Sequence, residues 1–119
     1  MVDDELEMGT LVRRVAEELD YEMRFVARAE AFKAAYRLFD PDIVILDLSI
    51  PGIDGIQLLA FLAGEKSRAR ILIVSGFDAR TRESAHLLGE GRGLAMAGII
   101  PKPVRIAELR SILYNLKTK

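Results

Sequence analysis

Five polar residues stand at the ends of short apolar runs in this chain. Asp3 and Asp4 follow Met1-Val2, Asp47 follows Ile43-Val44-Ile45-Leu46, Ser75 follows Ile71-Leu72-Ile73-Val74, and Lys102 comes just after Ile99-Ile100. Each alone has a structural account. Asp47 can cap a strand end, and Asp3 and Asp4 can cap the helix that follows them, favoured by its dipole. Ser75-Gly76 can be a turn, and Lys102 a solvated surface lysine, although Pro101 and Pro103 hold it on both sides. Gathered at one place, the same residues are harder to explain. Two carboxylates about 4 Å apart repel by roughly 4 kcal/mol at an effective dielectric of 20, so a compact fold brings three together only around a cation. Oxygen donors without Cys or a neighbouring His point to a hard ion, Mg²⁺, which keeps several of its waters. Such a site leaves Asp47 a nucleophile, because carboxylates form aspartyl phosphates. Phosphoryl transfer asks for positioning and neutralised charge. Lys102 would pair with one phosphoryl oxygen and Ser75 would donate a hydrogen bond to another.

Convergence of this kind needs a scaffold that aligns the ends of several strands. Met8, Leu11, Val12, Val15, Ala16 and Leu19 recur at helical spacing, which predicts an amphipathic helix over 6–19. Met23–Ala27 reads as a short edge strand, and 29–39 as a helix with Ala31, Ala34, Ala35 and Leu38 inward. Asp40-Pro41-Asp42 is a turn. The apolar runs at 43–46 and 71–74 are strands covered on both faces, as in a parallel sheet flanked by helices. Residues 55–63 and 80–89 read as helices, and Gly89 to Gly98 as a glycine-punctuated connection to a short last strand, Ile99-Ile100. Ile106, Leu109, Ile112, Leu113 and Leu116 stripe a closing helix.

Strands alternating with helices of this length form βαβ units. Right-handed crossovers place helices on both faces of a doubly wound α/β sheet. In such sheets ligands bind beyond the carboxyl ends of the strands, where these five residues stand. Only Met1 and Val2 precede the acidic pair, so the first strand is either trimmed upstream or a stub.

At 119 residues, half of them apolar and 29% charged, the chain is expected to be one globular domain, 1–119. A net charge of −1, with no run of like charge, gives no nucleic-acid footprint. The absence of cysteine excludes disulfides, thiolate metal sites and thiol catalysis. No apolar stretch is long enough to span a membrane, and no signal peptide opens the sequence, so a cytoplasmic domain is expected. His86, the single histidine, reads as a helix-surface residue.

Asp3-Asp4, then Asp47-Leu48-Ser49-Ile50-Pro51-Gly52-Ile53-Asp54-Gly55, then Ser75-Gly76, then Lys102-Pro103 resembles the receiver domains of two-component response regulators. The match runs along essentially the whole chain, and the Asp-x-x-x-Pro-x-x-Asp-Gly segment is specific. The resemblance implies a five-stranded parallel sheet in order 2-1-3-4-5, with a cis Lys102–Pro103 peptide. It implies Asp47 as phosphoacceptor, and Mg²⁺ held directly by Asp4, Asp47 and the carbonyl of Ser49, and through water by Asp3. It implies Ser75 as the switch hydroxyl and Lys102 as the phosphate-binding lysine. The donor would be a sensor histidine kinase or a phosphotransfer protein, and an output domain would be attached or separate. Ser49 and Phe77 take the positions that flank the path of the hydrolytic water.

Two features depart from that family's pattern. The aromatic residue usual three places before the lysine is Ile99, and 27 positions separate Ser75 from Lys102, more than in short receivers. The excess falls in Leu88–Gly98 and is similar to receivers joined to EAL-type cyclic di-GMP phosphodiesterase domains. A haloacid-dehalogenase-type phosphatase would want a second Asp two residues after the nucleophile, where Ser49 stands. A pseudo-receiver, binding partners without taking phosphate, is the non-catalytic alternative. Gly89-x-Gly91-x-Gly93 follows a helix and so is no nucleotide loop; a helix C-cap accounts for it.

Overall fold

Val44, Ile45 and Leu46 are all buried, and alternate residues of this one strand pack into two different cores. The computed structural model describes residues 1–50, 53–76 and 78–117, and of residues 49, 50, 53 and 54 the backbone only. Its elements run α1 (Leu6–Glu18), α2 (Ala29–Phe39), β1 (Ile43–Asp47), β2 (Ser49–Ile50), β3 (Ile53–Asp54), α3 (Gly55–Gly64), β4 (Arg70–Ser75), α4 (Ala79–Gly91), β5 (Ala95–Pro101) and α5 (Ile106–Lys117).

β4 lies between β1 and β5 and is parallel to both. Two isolated parallel bridges, Val2 to Leu46 and Val2 to Val26, carry the sheet beyond β1. Across the sheet the positions therefore run Val26, Val2, β1, β4, β5, which is the order 2-1-3-4-5 expected of the fold. Val2, at the position of the first strand, is held on both sides. Val2 N–H donates to Ile45 O at 2.9 Å and Asp47 N–H to Val2 O at 3.0 Å, while Val26 N–H donates to Met1 O at 2.9 Å.

Because successive strand residues face opposite sides, the sheet divides the apolar residues between its faces. Val44, Leu46, Ile71 and Ile73 join Phe32 of α2 and Leu58, Leu59 and Leu62 of α3. Ile45, Leu72, Val74 and Ile100 join Val12 and Val15 of α1 and Leu109 and Leu113 of α5. This is the doubly wound arrangement, with helices on both faces.

Two expectations need correction. The inward face of α2 is not Ala31, Ala34 and Leu38; Leu38 is 90% exposed, and the buried residues are Ala29 and Phe32. Phe32, Tyr36 and Phe61 pack ring against ring with centroids 5.8–6.2 Å apart, and that larger apolar area sets the rotation of the helix. Nor is Gly89–Gly98 a loose connection. α4 continues to Gly91 and β5 begins at Ala95, so only Arg92-Gly93-Leu94 link them. Gly89 is buried where α4 meets Met96 of β5, and a Cβ there would overlap the methionine side chain. Gly93 turns the chain at φ 84°, and Gly98 sits at a bulge, since Met96 pairs with Ile71 but Gly98 with Leu72. The glycines mark close packing, a turn and a bulge.

Candidate functional site

Strand register determines which side chains meet at the carboxyl end of the sheet. Asp47 ends β1 opposite Val74, and Ser75 ends β4 opposite Pro101. Val2 bridges Leu46, so the residue after each of them, Asp3 and Asp47, emerges side by side. Asp3 N–H donates to Val26 O at 3.2 Å, fixing the start of the acidic pair to the neighbouring position of the sheet. Asp3 is fully buried and Asp47 is 3% exposed, while Asp4 faces solvent.

One carboxylate oxygen from each of Asp3, Asp4 and Asp47 lies within 4.8 Å of the others. Capping does not explain them. The N-cap of α1 is Glu5, which makes no side-chain cap bond, and Asp3 Oδ1 accepts from the N–H of Glu5 at 2.9 Å. Lys102 reaches over the group. Its Nζ is 2.8 Å from Glu5 Oε1, 3.0 Å from Asp3 Oδ2 and 3.4 Å from Asp47 Oδ2. The contact to Asp3 Oδ2 is a charge contact without hydrogen-bond alignment, which leaves that buried oxygen free of a directed donor. The Lys102–Pro103 peptide is cis, and Lys102 N–H donates to Ser75 O at 2.9 Å. Desolvation of Lys102 favours its neutral form. The hydrogen bond to Glu5 and the pairing with Asp3 and Asp47 outweigh that cost, so the net shift of its pKa is upward and the lysine stays charged.

Asp3, Asp4, Asp47 and Lys102 therefore meet, and buried Ser75 is tied to Lys102 through the backbone. Ser49 lies in β2, paired with Asp54 of β3, with its side chain outside the described residues. Pro51, Gly52 and Phe77 lie outside them too. Sequence reasoning missed Glu5, although it is the third acid in the run Asp3-Asp4-Glu5 and precedes the first helix directly. His86 is not a plain surface residue. Its ring is half-buried, with Nε2 3.6 Å from Glu90 Oε1 and a buried Nδ1 that has no hydrogen-bond partner among the described residues.

Four carboxylates around one ammonium leave the site strongly negative. All-oxygen donors, two of them buried and one without a directed donor, fit a small hard dication such as Mg²⁺. The family model for the response regulator receiver domain matches residues 1–114. The chain belongs to that family. This receiver domain is 33% identical over 78 residues to the chemotaxis protein CheY of Listeria monocytogenes, a match covering 63% of the chain and 64% of that protein. It is 37% identical over 89 residues to a protein-glutamate methylesterase/protein-glutamine glutaminase of Burkholderia thailandensis, covering 69% of the chain and 25% of the relative. The chain thus spans under two thirds of the first relative and a quarter of the second. Among solved structures, the receiver domain of NtrX from Brucella abortus superposes with a TM-score of 0.81 at 25% identity, covering 99% of this chain and 97% of that one. A response regulator from Colwellia psychrerythraea superposes at 0.80 with 26% identity, covering 99% and 94%.

Among the described residues no helix is long and apolar enough to cross a membrane.

Proposed function

We propose that this receiver domain is a phosphoacceptor switch in two-component signalling, with residues 1–119 forming the one domain. Asp47 is the nucleophile. Asp4, Asp47 and the Ser49 carbonyl would hold Mg²⁺ directly, and Asp3 would hold it through water. One observation carries this reading: three carboxylate oxygens within 4.8 Å of one another, with the Lys102 ammonium 3.4 Å from Asp47, at the carboxyl end of a parallel sheet.

When bound there, Mg²⁺ would supply positive charge to the transferring oxygens. An Asp47 oxygen attacks the phosphorus of a phosphohistidine on a sensor kinase or phosphotransfer protein. The P–N bond breaks, and the imidazole departs with its electron pair. Asp47 is held for this attack by its own N–H on Val2 and by the β1–β4 ladder. Lys102 pairs with one phosphoryl oxygen, and the Ser75 hydroxyl donates to another, which draws the ends of β4 and β5 toward Asp47. The output is an attached or separate domain in the cytoplasm, and the spacing of 27 from Ser75 to Lys102 makes an EAL-type phosphodiesterase our candidate.

Intact mass after incubation with acetyl phosphate and Mg²⁺ tests the reading. The wild-type protein is expected to gain one phosphoryl group, and Asp47→Asn or a chelator to prevent it. A wild-type protein that gains nothing would make this a phosphorylation-independent interaction module. Equal gain in Asp47→Asn would remove Asp47 from the role.

A further inference from the structure

An ammonium has three hydrogens, and Lys102 Nζ already faces three carboxylates: Glu5 at 2.8 Å, Asp3 at 3.0 Å and Asp47 at 3.4 Å. Two of those contacts are aligned hydrogen bonds, to Glu5 and Asp47, so an arriving phosphoryl oxygen competes with them for the ammonium. The three are not equivalent. Asp3 is buried and stands on backbone fixed into the sheet, so losing the lysine strands a charge that water cannot reach, while Asp47 gives up its carboxylate charge on forming the bond to phosphorus. The Glu5 side chain is 58% exposed, and α1 has no need of its carboxylate, which makes no cap bond. Released, it is simply hydrated.

We infer that Glu5 is a positioning residue that parks Lys102 in the unphosphorylated domain, and is the partner Lys102 exchanges for a phosphoryl oxygen. The inference rests on the reading of Asp47 as acceptor. Its consequence is that Glu5 opposes the phosphorylated state. A ligand shifts such an equilibrium only by its differential contacts, and the Glu5–Lys102 pair is a contact made in one state and lost in the other. The carboxylate also repels any incoming anion directly, without Lys102. A double-mutant cycle separates the two effects.

The probe is beryllofluoride with saturating Mg²⁺, titrated by calorimetry into wild type, Glu5→Gln, Lys102→Ala and the double variant. Glu5→Gln is expected to tighten binding about two- to fivefold, the range that an exposed ion pair corresponds to. Most of that gain should vanish when Lys102 is Ala. A second readout needs no ligand and no change at Lys102: the ¹⁵N resonance of its ammonium should shift in free Glu5→Gln. Equal gains in both backgrounds, unchanged or weaker binding in Glu5→Gln, or an unmoved ammonium resonance would each overturn the inference. A wild-type domain that fails to bind beryllofluoride at all would instead overturn the phosphoacceptor reading, while the resonance still reports the Glu5–Lys102 contact.

Discussion

Lys102 Nζ lies 3.4 Å from Asp47 Oδ2, although 55 residues separate the two in sequence. The path between them is the sheet itself. β1 pairs with β4, β4 pairs with β5, and Lys102 follows β5 directly while bonding back to the end of β4. The pair therefore reports on the alignment of three strand ends, and changes at either residue have consequences for folding as well as for phosphate.

Lys102→Ala leaves Asp3 and Asp47 buried beside each other without their cation. Removing one partner of a buried pair costs about 3–5 kcal/mol, and opening toward solvent at Asp4 and Glu5 reduces this to roughly 1–3 kcal/mol. Denaturant unfolding without metal should show that loss, and millimolar Mg²⁺ should recover most of it. A variant as stable as wild type in chelator would mean that Lys102 does not offset the acidic repulsion.

Mg²⁺ binds the folded chain, in which the carboxylates are gathered, and not the unfolded one. The stabilisation is about 2.7 kcal/mol at a free concentration one hundred times Kd, seen as a rise in Tm. Asp4→Ala, at an exposed position, should leave Tm in chelator nearly unchanged and remove most of the Mg²⁺-dependent rise. A melting temperature indifferent to the ion would refute the metal site.

Gly55→Ala should destabilise the domain and displace the acceptor together. A Cβ at Gly55 would stand 2.5 Å from Leu48 Cα and 3.0 Å from Asp47 O, both backbone atoms with little room to yield. The expected loss is about 1–3 kcal/mol by overpacking, read by denaturant unfolding, with slower phosphorylation by acetyl phosphate. Unaltered stability would show that the α3 start can move away from β1.

Asp78 caps α4, accepting from Thr81 N–H at 2.8 Å, and that hydrogen bond holds its pKa below the usual carboxylate value. A lowered folded-state pKa contributes stability that is complete above the unfolded value and is lost as pH falls through the folded one. Asp78→Ala should therefore melt below wild type at neutral pH, with the gap narrowing on acidification to about pH 3. A gap independent of pH would mean that the carboxylate charge contributes nothing to the cap.

Much of the domain was legible in the sequence because its signals are local. The apolar runs at 43–46 and 71–74, the stripes of α1 and α5, and the polar residue after each strand fix the element types and one end of the sheet as the place for Asp3, Asp4, Asp47, Ser75 and Lys102. Composition excluded thiol chemistry without reference to any contact. Other features depended on contacts between elements distant in sequence. Which face of α2 turns inward was decided by Phe61 on α3, which offers ring area that an alanine stripe cannot match. The four glycines between 89 and 98 look alike in sequence, and only Met96 against Gly89 and the register shift at Gly98 separate close packing and a bulge from a flexible link. Glu5 reads as one more acid before a helix until β5 brings Lys102 within 2.8 Å of it. Periodicity along a chain records how each element meets its core, but the partner of a charged or small side chain is set by register and crossover, which exist only once the sheet has formed.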